Sequence, residues 1–339
     1  MKLTIAIPTY NRAKRLEKAL HDLCAEINSA NNKANVAVYV SNNGSNDNTA
    51  EVIVQCSKLF FENCISFSST SFSENKGFDA NALACYSGSN SEYVWLLSDD
   101  DNIIAGAVDA IMQDINKYCP ALIFYNHDQK PYDRAQPYIN EYQYFNIITD
   151  ENIIALQKII NWPKLSALVI KKCEEGLRVP NMKSDFAHVA LALQCGLSVG
   201  RLLHSPVFTA YPDDDYKDNI NFVPYIGNNL DIIIRWVLLE NNNMSLYKQL
   251  ALPYVDPLIP SLNVLGAYYR GRFVLTLPLK GELWKTVRRE IKTNWLKRLK
   301  DWKSVKELLK FPLSLAYWVI FTLITGKKLT IDRPVPLDR

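Results

Sequence analysis

At 339 residues the chain is long for one domain and short for three. Hydrophobic residues make up 48% and charged residues 22%, which excludes wholesale disorder, a collagen-like fibre and a polytopic membrane protein. The net charge of +3 is uneven: residues 280–310 hold eleven Lys/Arg against four Asp/Glu and 311–339 four against two, leaving 1–279 with 23 against 29.

The opening MKLTIAIPTYNR runs directly into a strand pattern, without the basic, apolar and cleavage order of a secretory signal. The seven cysteines are dispersed and never form a CxxC pair, so reduced thiols of a cytoplasmic chain are expected. Strands are predicted at Leu3–Pro8, Val36–Ser41, Ile65–Ser68 and Tyr93–Ser98, all short and mostly β-branched or aromatic. Between the first two, Leu16, Ala19, Leu20, Leu23 and Ile27 recur at helical spacing. The polar turn NNGSNDNT precedes a helix over Thr49–Phe61, capped by Asp47 or Asn48. Further helices are predicted over Asn75–Ser87, Gly106–Lys117 and Asp185–Cys195, and further strands over Ala121–Tyr125, Ala167–Ile170 and Pro206–Tyr211. Strand–helix alternation with near-continuous apolar strands predicts an α/β fold, its mostly parallel sheet covered by helices on both faces. Strand signals fade beyond about 215, so the expected domains are 1–215 and a helical region over 216–339.

Ligands in such sheets sit at the carboxyl ends of strands. Those ends carry Pro8-Thr9-Tyr10-Asn11-Arg12, Ser41-Asn42-Asn43-Gly44-Ser45 and Ser98-Asp99-Asp100-Asp101-Asn102. Three adjacent carboxylates repel one another, and packing alone does not select them. One or two of them with a diphosphate would complete the oxygen shell of Mg²⁺ or Mn²⁺. A plainer duty is an acidic turn capping a helix that starts near Ala105. Tyr10 is placed to stack on a base or to close a strand, and Asn75-Lys76-Gly77 opens a helix whose N–H groups suit an anion.

In order and spacing, IPTYNRA, VSNNGSNDNT, ENKGFDAN and YVWLLSDDDN resemble the inverting family 2 glycosyltransferases of the GT-A fold. The likeness is close over 1–120 and looser to about 210, through WPKLSALVIKK and SDFAHVALAL, and is nearest to abequosyl- and rhamnosyltransferase-like members of bacterial surface polysaccharide synthesis. The resemblance implies a nucleotide-sugar donor, a divalent metal (Mn²⁺ or Mg²⁺) on its diphosphate, and single-displacement inversion. It places Asp99 and Asp101 as the frame of the "DxD" motif, with Asp101 first for metal contact and Asp100 next. Pro8, Thr9, Tyr10, Asn11, Arg12, Asn42, Asn75, Gly77, Asp99 and Asp100 would line the nucleotide site. Asp185 would be the catalytic base, although Ser184 stands where a Glu is usual and Asp185 could equally be the N-cap of FAHVALAL. His188, one turn on, either reaches the site or is structural. Asn42 stands where the family usually has Asp, which opens CDP or dTDP beside the default UDP. A non-catalytic sugar-binding or scaffolding relative is the second class. There is no dinucleotide fingerprint, phosphate loop, nucleophile elbow or H-E-x-x-H.

The basic C-terminal stretch separates into two faces. Trp284, Val287, Ile291, Trp295, Leu299, Trp302 and Leu309 form an apolar stripe, with basic residues over most of the remainder. A helix of this kind either forms a layer capping the catalytic domain or lies in a membrane interface, where peripheral attachment to the anionic inner face of the cell membrane would bring the site to a lipid-linked oligosaccharide acceptor. The fifteen uncharged residues of 311–325 are short of the roughly 20 that a spanning helix needs. Nucleic-acid binding is not expected from an acidic body without a recognition motif.

Overall fold

The computed structural model describes residues 1–126, 141–146, 164–172, 186–199 and 201–212. All lie in the first of two units into which the chain divides, Met1–Asp218 and Asn219–Arg339. The expected boundary near 215, Asp185, the amphipathic stripe and 311–325 lie outside the described residues.

The described elements are β1 (Leu3–Thr9), α1 (Ala13–Ser29), β2 (Val36–Asn42), α2 (Thr49–Glu62), β3 (Ser66–Ser71), α3 (Phe78–Gly88), β4 (Tyr93–Leu96), β5 (Asp101–Ile103), α4 (Ala107–Tyr118), β6 (Leu122–Asn126), β7 (Gln143–Asn146), β8 (Leu168–Lys171), α5 (Ala187–Val199), β9 (Arg201–Phe208) and β10 (Ala210–Pro212). Eight strands form one sheet in the order β3-β2-β1-β4-β8-β6-β9-β7. The run β3-β2-β1-β4 is parallel, β8 is antiparallel to both β4 and β6, and β7 is antiparallel to β9. This is the expected α/β architecture of the GT-A type, with a mixed, mostly parallel sheet.

Every residue of β1 is buried because both faces of this central strand are covered. Leu3, Ile5 and Ile7 share one core with Leu16, Leu20 and Leu23 of α1, Val52 and Phe60 of α2, and Val108 and Ile111 of α4. Each such side chain contributes about 1.5–3 kcal/mol on full burial. α3 packs on β1 and β2 and against α5. No helix among the described residues is long and apolar enough to cross a membrane.

Three expectations change. The segment Pro206–Tyr211 is not one strand: β9 ends at Phe208 in the main sheet, and β10 pairs with β5 in a separate antiparallel ribbon. The break falls at Thr209, whose carbonyl accepts the Ile104 N–H at 3.0 Å. The third strand starts at Ser66, because the Ile65 N–H is used to close the end of α2 on the Phe60 carbonyl. The helix predicted from Asn75 begins at Phe78, after Gly77 at φ +88°.

Candidate functional site

The site forms where β1 parts from β4. Pairing between these strands runs from Leu3↔Tyr93 to Ala6↔Leu96 and stops, whereas β1 stays paired with β2 as far as Thr9↔Asn42. Pro8 lies just beyond the last β1–β4 pair, so its missing N–H removes no ladder bond. Since β2 lies on one side of β1 and β4 on the other, the gap is a topological switch point, the place where open α/β sheets hold ligands. Thr9 and Asp99 face each other across it, and Thr9 Oγ1 donates to Asp99 Oδ2 at 2.6 Å.

The acidic turn after β4 is held from three sides. Asp99 is 3% exposed, and its other oxygen accepts from Arg12 Nη1 at 2.7 Å. The same nitrogen reaches Asp100 Oδ2 at 2.8 Å, and Arg15 Nη1 stands 3.5 Å from that oxygen. Ser98 Oγ donates to Asp100 Oδ1. Burial pushes the Asp99 carboxyl above the usual carboxylate range, against the pull of Arg12 and Thr9. Burial also works against the Arg12 charge, but Asp99 and Asp100 outweigh it and hold the guanidinium above its ordinary value. Asp101 is half-buried and opens β5, with Ser166 Oγ donating to its Oδ2. Ser166 also accepts the Ser98 N–H at 2.9 Å, and its carbonyl accepts from Trp95 Nε1 at 2.8 Å. Ser166 lies in the WPKLSAL segment but outside the expected site residues, since nothing local marks it as a partner of the acidic turn.

The capping duty considered for the acidic turn belongs to another residue. α4 starts after Gly106, which is left-handed and has no side-chain cap of its own. Glu26, from the buried face of α1, accepts the N–H of Gly106 and of Val108, each at 3.0 Å. A carboxylate there faces the positive end of the helix dipole. Its sequence signal was a charge on the apolar stripe, three residues after Leu23 and one before Ile27.

The second rim comes from the β2–α2 turn. Asn11 takes a left-handed conformation (φ 52°), which Asn tolerates, and its Oδ1 accepts the Asn46 N–H at 2.9 Å. Asp47, one of the two proposed caps of α2, accepts the Thr49 N–H at 3.1 Å and also the Ala13 N–H at the start of α1. Tyr10 is 39% exposed beside this knot. Asn42 is buried, and its Oδ1 accepts the Ser45 N–H at 3.1 Å. Asn43, absent from the expected set, binds the third motif: its amide donates to Asn75 Oδ1 and the Gly77 carbonyl, and its oxygen accepts the Lys76 N–H. The Gly77 N–H goes to Asn75 Oδ1 at 2.8 Å. Gly44 makes this closeness possible: at φ +68°, a Cβ there would come 2.4 Å from the Glu74 carbonyl carbon.

Asp185 lies just before the described start of α5. There the Ala187 N–H donates to Asp79 Oδ1 of α3 at 2.9 Å, and the Val189 and Ala190 N–H groups go to the Phe186 carbonyl. His188 is 3% exposed, with its ring edge-on to Phe78 at 5.7 Å, the packed position of a core histidine.

Among the described residues no three His, Cys, Asp or Glu side chains form a ready metal cage. The donor set of the acidic turn nevertheless suits a hard divalent cation, since Mg²⁺ and Mn²⁺ take one or two carboxylates and fill the remaining positions with phosphate oxygens and water. The three aspartates are not equivalent for this purpose: the oxygens of Asp99 are engaged by Thr9 and Arg12, whereas Asp101 stands at a half-buried strand start.

Residues 4–173 match the family described as Glycosyl transferase family 2. Over 121 residues the chain is 29% identical to the GalNAc(5)-diNAcBac-PP-undecaprenol beta-1,3-glucosyltransferase of Campylobacter jejuni, a match spanning 34% of this chain and 35% of that protein. Among solved structures, residues 1–349 of S. aureus TarS in complex with UDP superpose with a TM-score of 0.55 at 14% identity, over 100% of this chain and 97% of that one. The mannosyltransferase PcManGT of Pyrobaculum calidifontis in complex with GDP-Man and Mn²⁺ gives 0.53 at 12% identity, over 96% and 88%. At these identities the structures establish the fold.

Proposed function

The chain belongs to glycosyl transferase family 2, and from that premise we propose that it moves a sugar, with inversion, from a nucleotide-diphosphate donor to a hydroxyl of a lipid-linked saccharide during surface polysaccharide synthesis. The observation that carries this reading is the acidic turn: it stands at the β1/β4 switch point, while the N–H groups of Gly106 and Val108 at the start of the helix it precedes are taken by Glu26. The similarity to a protein named for an undecaprenol-linked acceptor supports the lipid-linked saccharide.

In this reading the donor's base stacks on Tyr10 and its diphosphate lies over the crevice. Thr9 and Asp99 fix the crevice floor, and Asn43, Asn75 and Gly77 fix one wall. Asn42 meets the base edge. With its Oδ1 engaged by Ser45, the amide is left as donor, which suits cytosine N3 or a uracil carbonyl. UDP remains the default, in keeping with the UDP complex of a fold relative. Mn²⁺ or Mg²⁺ would be held by Asp101, with Asp100 beside it, and when bound supplies positive charge to the departing diphosphate. The acceptor hydroxyl oxygen attacks the anomeric carbon as its proton passes to the Asp185 carboxylate, and the bond to the diphosphate breaks. The apolar stripe of 284–309 and the basic residues around it would seat the protein on the inner face of the cell membrane, where its acceptor is anchored.

A thermal-shift screen of UDP, CDP, dTDP and GDP with and without Mn²⁺ tests this. One nucleotide is expected to raise the melting temperature only when Mn²⁺ is present, by the equivalent of about 2.7 kcal/mol at a hundredfold excess over Kd. A protein that melts at one temperature under every condition would not be a metal-dependent transferase of this class.

A further inference from the structure

The two arginines at the start of α1 occupy an unusual place. Arg12 and Arg15 stand at the start of a helix that has no acidic residue in its first turn, where the helix dipole disfavours cations. Their position is explained by what they reach: Asp99, which is 3% exposed, and Asp100, whose side chain is 9% exposed. Two carboxylates this deeply placed need compensating charge. Two guanidinium groups balance them. Arg12 is itself 43% exposed and makes both of its ion pairs through one nitrogen, Nη1, instead of the planar fork that guanidinium offers a bidentate partner.

We infer that Arg12 is a displaceable counter-ion that makes capture of the divalent cation contingent on the donor's diphosphate. The inference rests on the donor-and-metal reading above. With Arg12 and Arg15 already balancing Asp99 and Asp100, a lone divalent cation on the same turn meets two positive groups and has little net charge to neutralise. A cation arriving with a diphosphate brings its own compensation. The phosphate oxygens also give the Arg12 fork a bidentate partner that the carboxylates do not supply here. Metal and nucleotide therefore bind with positive coupling, and the free protein takes up little metal.

The test titrates the full-length protein with Mn²⁺ and follows the free-Mn²⁺ EPR signal, with and without the nucleoside diphosphate selected from UDP, CDP, dTDP and GDP. The wild type is expected to bind Mn²⁺ at least about tenfold more tightly with the diphosphate, within the usual range of coupling between sites. In Arg12→Gln, binding of Mn²⁺ alone should tighten about tenfold and the gain from the diphosphate should shrink, whereas Arg12→Lys, which keeps the charge but not the fork, should bind Mn²⁺ alone as the wild type does and lose only part of that gain. If Arg12→Gln does not fold, Arg15→Gln, which relieves only Asp100, should move in the same direction by less. Equal Mn²⁺ affinity in wild type and folded Gln variants, with nucleotide coupling retained, would overturn the inference and leave the metal-dependent reading intact. No Mn²⁺ uptake by either protein under any condition would overturn that reading, and the inference with it.

Discussion

Replacing Asp101 with Asn is expected to slow sugar transfer about a thousandfold, in line with the loss of a preorganised electrostatic contact in a reacting site. The substitution is nearly isosteric, and an Asn side-chain oxygen can still accept from Ser166, so the turn should stay folded. What is lost is the charge. The nucleotide-and-Mn²⁺ gain in melting temperature should disappear while the unliganded protein melts within a few degrees of wild type. Transfer at the native rate by Asp101→Asn would remove this aspartate from the metal site. The comparison with Asp99 is informative because that carboxylate is buried and bonded to Thr9 and Arg12. Asp99→Asn should instead lower stability, by disturbing the bridge between β1 and the acidic turn.

Replacing Asp185 with Asn is expected to lower kcat by a factor of about 10² to 10⁴, the range for loss of a positioned general base. Donor binding should be unchanged, so the thermal shift with nucleotide and Mn²⁺ should match wild type. This separates a base from a helix cap. The N–H groups at the start of α5 already find Asp79 and the Phe186 carbonyl, so a large drop in melting temperature would point to a structural role, and an unchanged kcat would place the base elsewhere.

The two results bear on different parts of the site, and these parts were not equally legible from sequence. The strands β1, β2 and β4 announced themselves because buried central strands are continuous apolar runs, and their polar ends fixed which residues meet at the switch point. Thr9, Asn42 and the aspartates could therefore be named before their contacts were known. The partners that hold them could not. Ser166 reaches Asp101 across 65 positions and Glu26 reaches Gly106 across 80, and no local pattern encodes such pairings. The three-residue strands β5 and β10 are too short to show a period, so 206–211 presents a single strand pattern where the fold has the end of β9 followed by half of a ribbon. The place of β8, antiparallel between β4 and β6, is equally a matter of long-range pairing. Arg12 was legible as a motif residue, but its double ion pair with Asp99 and Asp100 was visible only once α1 was laid beside the turn.

The most direct test of the central claim is anomalous scattering from manganese in crystals soaked with Mn²⁺ and a non-transferable analogue of the nucleotide sugar. A manganese peak is expected between Asp101 and the analogue's diphosphate, at the crevice between the ends of β1 and β4. A peak elsewhere, with the aspartates still closed on Arg12 and the nucleotide bound away from Tyr10, would contradict it.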